Sequence, residues 1–290
     1  MTEAALPIGL MLMSAGLHAV VGVLMKGSQN KTLFRAMFAF ISGVILIPFL
    51  FILPLPPTSA WGYLIVGALI HFLYQLAQIK AFETGDMSVV YPVMRGSAPA
   101  LAALFALILL GETLGPVAIA GLIIAVSALI MFGFSGLNFS GGVKLPQKSA
   151  LGFALFCGVM TALYTVVDGA GMRITRQSGT LIFNYIAWFF VLDGIGLPIV
   201  AVIKERRKLW TAMRPDMVRS IWAGLLSFVS YSAALYALSV APIGKMAALR
   251  ETSVVFGAIL AALILKEPFG KRRIIFAAIL AFGLVMMQVG

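Results

Sequence analysis

Ten apolar runs of about twenty residues, falling five and five around a polar joint, restrict this chain to a polytopic membrane fold. A bilayer core about 30 Å thick is crossed by roughly 20 residues of helix rising about 1.5 Å each. The runs are Leu6–Met25, Leu33–Leu53, Trp61–Phe82, Ser88–Leu110, Leu114–Phe134, Ala150–Gly171, Gly179–Ile203, Met217–Ser239, Ile243–Leu265 and Arg273–Val289. Of the 290 residues 61% are hydrophobic and only 11% charged, where a soluble domain carries about 25% charged residues. A water-soluble fold is therefore excluded, and the expected class is an all-α membrane protein of ten transmembrane helices. The first run has Glu3 ahead of it and no basic stretch, so it reads as a mature helix and not as a cleaved signal.

Several chemistries are removed at the same level. The single Cys157 excludes disulfides and multi-cysteine metal sites. There is no His-Glu-x-x-His spacing and no Gly-rich phosphate loop, so no metal, cofactor or enzymatic activity is expected. The net charge of +11 sits in short loops, where anionic lipid headgroups, and not nucleic acid, are the natural partner. The stretch Lys204–Asp216 is basic and amphiphilic and is expected to lie along the membrane surface.

Sliding the second half over the first by 155 positions aligns Arg95 with Arg250 and Glu112 with Glu267. Charged residues are scarce, and both pairs hold the same place: an Arg one to two turns into a run and a Glu just past its end. A unit of five spans is odd in number, so its second copy enters the membrane from the opposite face. The chain thus divides into a first repeat (1–134), a linker (135–149) and a second, inverted repeat (150–290), the architecture of secondary transporters.

Leu17-His18-Ala19 followed by Lys26, Leu109-Leu110-Gly111-Glu112, Leu265-Lys266-Glu267 and the Tyr164–Gly169 run carry a resemblance to a known family. Over its whole length the chain resembles the EamA-like, ten-helix branch of the drug/metabolite transporter superfamily. The resemblance implies a carrier with a central cavity between two five-helix halves and alternating access for small organic metabolites. Two departures bear on the substrate: Val20-Val21-Gly22 stands where many members have an aromatic residue with Gly, and Lys266 where Gly commonly precedes the Glu.

Sixteen of the 21 Lys and Arg residues fall in odd-numbered loops or at their edges. The positive-inside rule makes those loops cytoplasmic and places both termini outside. A bacterial inner membrane is the expected location.

The polar residues inside the runs are the candidate site. His71, Tyr74, Gln75 and Gln78 form a stripe at i, i+3, i+4 and i+7 on the third run, and Thr161, Tyr164, Thr165 and Asp168 repeat it on the sixth. Facing lipid, such stripes would leave donors and acceptors unsatisfied at a few kcal/mol each, so they are expected to face inward; interhelical hydrogen bonding is the plainer alternative for the Gln and Thr residues. Arg95 and Arg250 each lie about seven residues, roughly 10 Å, into a run. Either they snorkel to the headgroups or they flank a cavity and present forked, permanently charged donors to an anion. Glu251 follows Arg250 but points about 100° away around the helix, so adjacency alone does not pair them.

The expected substrate-binding set is His18, His71, Tyr74, Gln75, Gln78, Tyr91, Arg95, Tyr164, Asp168, Trp188, Tyr231 and Arg250, with His18, Asp168, Asp193 and Glu251 as candidates for taking up a coupling proton. Trp188 and Tyr231 could equally pack between helices. Glu112 and Glu267 are expected to serve helix-end geometry, and Pro92, Pro99 and Pro198 are candidate kinks. The reading is a secondary transporter for a small, anionic or amino-acid-like metabolite, acting as a monomer or weak homodimer. A lipid-headgroup flippase on the same scaffold and a non-transporting membrane subunit are its rivals.

Overall fold

The computed structural model describes residues 5–84, 87–134, 148–206, 209–264 and 270–290, with the side chains of Phe82, Met87, Ser88, Val89, Tyr91, Pro92, Gly133 and Ala261 left out. Among the described residues the chain is helical, without a strand. The helices are α1 (Ala5–Lys26), α2 (Lys31–Val44), α3 (Ile47–Leu50), α4 (Thr58–Thr84), α5 (Met87–Leu110), α6 (Pro116–Phe134), α7 (Lys148–Gln177), α8 (Ile182–Glu205), α9 (Leu209–Met213), α10 (Met217–Val240), α11 (Ile243–Arg250), α12 (Thr252–Ile264) and α13 (Lys271–Val289). Nine stretches are long and apolar enough to cross a membrane, and α6 supplies a shorter apolar helix. The ten runs are all present, in a two-repeat, all-helical membrane architecture. Large apolar side chains turned outward, Phe51 at 86% and Leu263 at 74% exposure, suit hydrocarbon and not water.

Local chemistry sets the ends. Asn30 caps α2 by accepting the Leu33 amide at 3.0 Å. Gly111 (φ +69°) and Gly179 (φ +73°) close α5 and α7 in the left-handed conformation that glycine adopts without strain. The second run breaks at Ile45 and Leu46 into α2 and α3. The seventh begins at Ile182, three residues later than its apolar onset, because Ser178–Thr180 turn on the Ser178 hydroxyl. Pro99 and Pro198 lie inside helices that continue through them. A further break lies in the ninth run, between Arg250 and Thr252, where no proline stands.

The helices form two compact units, each drawing on both sequence halves: residues 1–72 with 167–241, and residues 73–166 with 242–290. In the first unit α2 packs on α8 and α10, and α1 on α10. Gly43 lies against the Phe190 carbonyl so closely that a Cβ would come within 2.8 Å of it. In the second unit α5 packs on α6 and α11, and α6 on α13, with Gly121 and Gly283 letting the two backbones approach. Small residues at such crossings provide the van der Waals contact that holds helices together where no water drives them. Glu112 has the helix-end role expected of it: its Oε2 accepts the Ile243 amide at 2.7 Å, satisfying a donor at the start of α11. Its repeat counterpart Glu267, with Leu265 and Lys266, lies outside the described residues, as does linker segment 135–147; Lys148 and Ser149 already belong to α7.

Candidate functional site

The polar stripes serve two places, because α4 and α7 each contribute to both units. His71 and Asp168 belong to the first unit, whereas Tyr74, Gln75, Gln78, Thr161, Tyr164 and Thr165 belong to the second. All of them are buried.

In the first unit, Asp168 is completely buried. Its Oδ2 lies 2.9 Å from His71 Nε2 and accepts the Tyr231 hydroxyl at 2.6 Å. His71 Nε2 is also 3.1 Å from the Tyr231 oxygen, closing a triangle. The far ring nitrogen, Nδ1, faces Asp193 Oδ1 at 4.0 Å. Phe189 walls the group, edge-on to His71 at 4.9 Å and tilted against Tyr231 at 5.0 Å. Gly67 makes the room: a Cβ there would collide with Asp168 Oδ1. Chemically this is an acid and a base in direct contact, with a second acid beyond the base, an arrangement that can hold and pass a proton. Trp188 packs edge-on against Trp61 at 4.8 Å. His18 is half-buried on α1; Ser14, one turn before it, meets Ser230 of α10.

In the second unit, the two repeat-equivalent arginines line one recess. Its walls are Arg95, Ala98, Pro99 and Ala102 of α5, Thr161, Tyr164 and Thr165 of α7, and Ala247, Arg250 and Glu251 of the ninth run. Arg95 and Arg250 are 6% and 9% exposed, so neither reaches out to headgroups. Glu251 sits at the break between α11 and α12 and is 3% exposed. Arg95 donates through Nη1 to Glu251 Oε1 at 3.3 Å and through Nη2 to the Ser253 hydroxyl at 3.1 Å. Glu251 thus bonds to the arginine of the other repeat, 156 positions earlier. The recess holds about 10 Å³ for the centre of a water-sized sphere, room for about one water. Beyond it, Tyr74 and Tyr164 meet edge-on at 5.6 Å, and Gln78 donates to the Tyr74 hydroxyl at 2.9 Å. Thr165 is tied back to the Thr161 carbonyl at 2.7 Å. Tyr91 is in α5, and its side chain lies outside the described residues.

Two features are absent from the sequence reading. Ser253, the second partner of Arg95, stands in a polar quartet, Arg250-Glu251-Thr252-Ser253, within an apolar run; that quartet is the signal that marks it and the helix break. Tyr185, fully buried with its hydroxyl close to Asp168, shows only as an aromatic in an apolar run.

A two-repeat membrane bundle with buried ionisable clusters defines a carrier-type membrane protein. The chain belongs to the EamA-like transporter family, whose model matches residues 5–134 and again residues 148–289, within the drug/metabolite transporter superfamily. Members of that family are transporters. Among solved structures, one described as "Crystal structure of protein" is similar in fold, with a TM-score of 0.71 and 18% identity over 98% of this chain and 96% of that one. No curated protein matches the chain.

Proposed function

We propose that this transporter carries a small organic anion by alternating access, as a secondary carrier coupled to protons or to a counter-substrate. One observation carries the reading: Arg95 and Arg250, which hold the same place in the two sequence halves, line a single buried recess. Buried guanidinium forks are suited to carboxylate or phosphonate oxygens. Ser253, Thr161 and Tyr164 supply hydroxyls for the rest of the solute. Of the four coupling candidates, Asp168 is taken as the proton carrier, because His71 and Tyr231 are its direct partners. The halves 1–134 and 150–290 act as inverted repeats around the transport cycle, in a bacterial inner membrane with both termini outside.

The test is uptake into vesicles reconstituted with the full chain, using radiolabelled lactate, malonate, glutamate and methylphosphonate with and without a proton gradient. At least one is expected to accumulate, and Arg250→Ala to cut its rate at least tenfold. Uptake of none, or an unchanged rate in the variant, would remove the anion reading.

A further inference from the structure

We infer that the transported solute carries a hydrogen-bond donor, a hydroxyl or an ammonium, on the carbon next to its carboxylate, and that Glu251 recognises this donor through Oε2. The inference rests on the anion reading above and names the class of carboxylate: hydroxy- or amino-substituted, in preference to one that bears only an acceptor there.

An ionised carboxylate has two acceptor oxygens and no proton to donate. Glu251 uses its two unevenly. Oε1 accepts from Arg95 Nη1 at 3.3 Å, whereas Oε2 is buried and has no hydrogen-bond partner among the described residues. The residue is only 3% exposed, so bulk water does not serve that oxygen. Buried polar atoms in native proteins are almost always bonded, because an acceptor taken out of water without a replacement carries its full desolvation cost. Two hydroxyls of the same region have their bonds elsewhere: the Ser253 oxygen accepts from Arg95 Nη2 at 3.1 Å, and Thr165 donates to the Thr161 carbonyl at 2.7 Å.

The recess offers that oxygen a partner from outside the chain. Glu251 is one of its walls, with Arg95, Arg250, Thr161, Tyr164 and Thr165, and the space admits about one water. A solute that takes the place of water there returns the water's hydrogen bond to Oε2 or loses affinity. Because Oε1 and Oε2 share one carbon, Oε2 stands directly beside the Arg95 contact. A carboxylate seated on the guanidinium groups therefore brings the substituent on its adjacent carbon to Oε2. An O–H or N–H donates to it; a carbonyl oxygen sets acceptor against acceptor. Backbone bonds hold the acceptor in place. At the joint between α11 and α12 the Glu251 amide donates to the Ala248 carbonyl and the Glu251 carbonyl accepts the Val254 amide, each at 3.0 Å. A fixed, buried acceptor that must be matched is what lets a site reject an analogue lacking the donor.

The experiment compares lactate, alanine and pyruvate, carboxylates of similar size that carry a hydroxyl, an ammonium and a carbonyl on the adjacent carbon. Their binding to the detergent-purified full chain is measured by concentration-dependent thermal shift. Lactate or alanine should bind the native protein at least about tenfold tighter than pyruvate, and the tighter of the two identifies the donor as hydroxyl or ammonium. Lactate and pyruvate have equal charge, so their order does not depend on the charge of the recess. Glu251→Gln keeps an oxygen for Arg95 and turns an amide N–H to the place of Oε2, so pyruvate should gain and the order should invert. Pyruvate binding the native protein as tightly as the other two overturns the inference even if Glu251→Gln fails to fold, and leaves the anion reading standing. An order unchanged by Glu251→Gln in folded protein overturns it as well. Binding of none of the three overturns the anion reading on which it rests.

Discussion

The two buried polar clusters both draw on α7 and differ in the space left beside them. In the first unit, Asp168 Oδ2, His71 and Tyr231 bond to one another at 2.6–3.1 Å beneath Phe189. In the second, Arg95 divides its donors between Glu251 and Ser253, while Arg250 adds a second positive charge around a space for one water. A closed acid–base pair suits a proton, which needs no volume. A cluster with two guanidinium groups beside a recess suits an anionic solute. The contrast teaches that burying ionisable groups does not define their task; the chemistry of their partners and the space left beside them do.

The contrast breaks most readily at Arg95. Arg95→Ala removes the bonded partner of Glu251, a change that costs about 3–5 kcal/mol for a buried pair. It should lower anion uptake by two orders of magnitude and lower the melting temperature, both measurable in one preparation. Full uptake in Arg95→Ala would place the solute elsewhere. Asp168→Asn sharpens the other side. It keeps the size and one acceptor for Tyr231 but removes the ionisable carboxyl beside His71, so under the proposed coupling accumulation driven by a pH gradient should fall at least tenfold while solute exchange at equal pH persists. Loss of both would make Asp168 part of the solute site or of the fold.

Gly67→Ala is expected to act more mildly, by crowding Asp168. The added methyl should cost about 1–3 kcal/mol and depress gradient-driven uptake more than anion binding. The smallest effect belongs to Glu112→Gln, which weakens the bond to the Ile243 amide and should lower stability by about 1 kcal/mol, read as a lower melting temperature with the anion preference unchanged.

Much of this was legible in the residues because hydrocarbon imposes simple rules. Apolar length gave the ten helices, and the scarcity of charge made the Arg95–Arg250 and Glu112–Glu267 coincidences informative. The stripes on the third and sixth runs identified buried faces, since period reports which side of a helix is apolar. Period does not report how a long helix is shared: α4 gives His71 to one unit and Tyr74 to the other within a single turn. Nor did spacing reveal the bond between Arg95 and Glu251, which depends on how distant segments pack. The break at Glu251 escaped detection because helix breaks are read from proline and glycine, and this one lies among Glu, Thr and Ser.

The most direct test of the central claim is to locate an anion. Crystals of the full chain soaked in 3-bromopropionate and measured at the bromine edge are expected to show the anomalous peak in the recess between Arg95 and Arg250, and to lose it in Arg250→Ala. A bromine peak beside His71 and Asp168 with none in the recess would contradict the account.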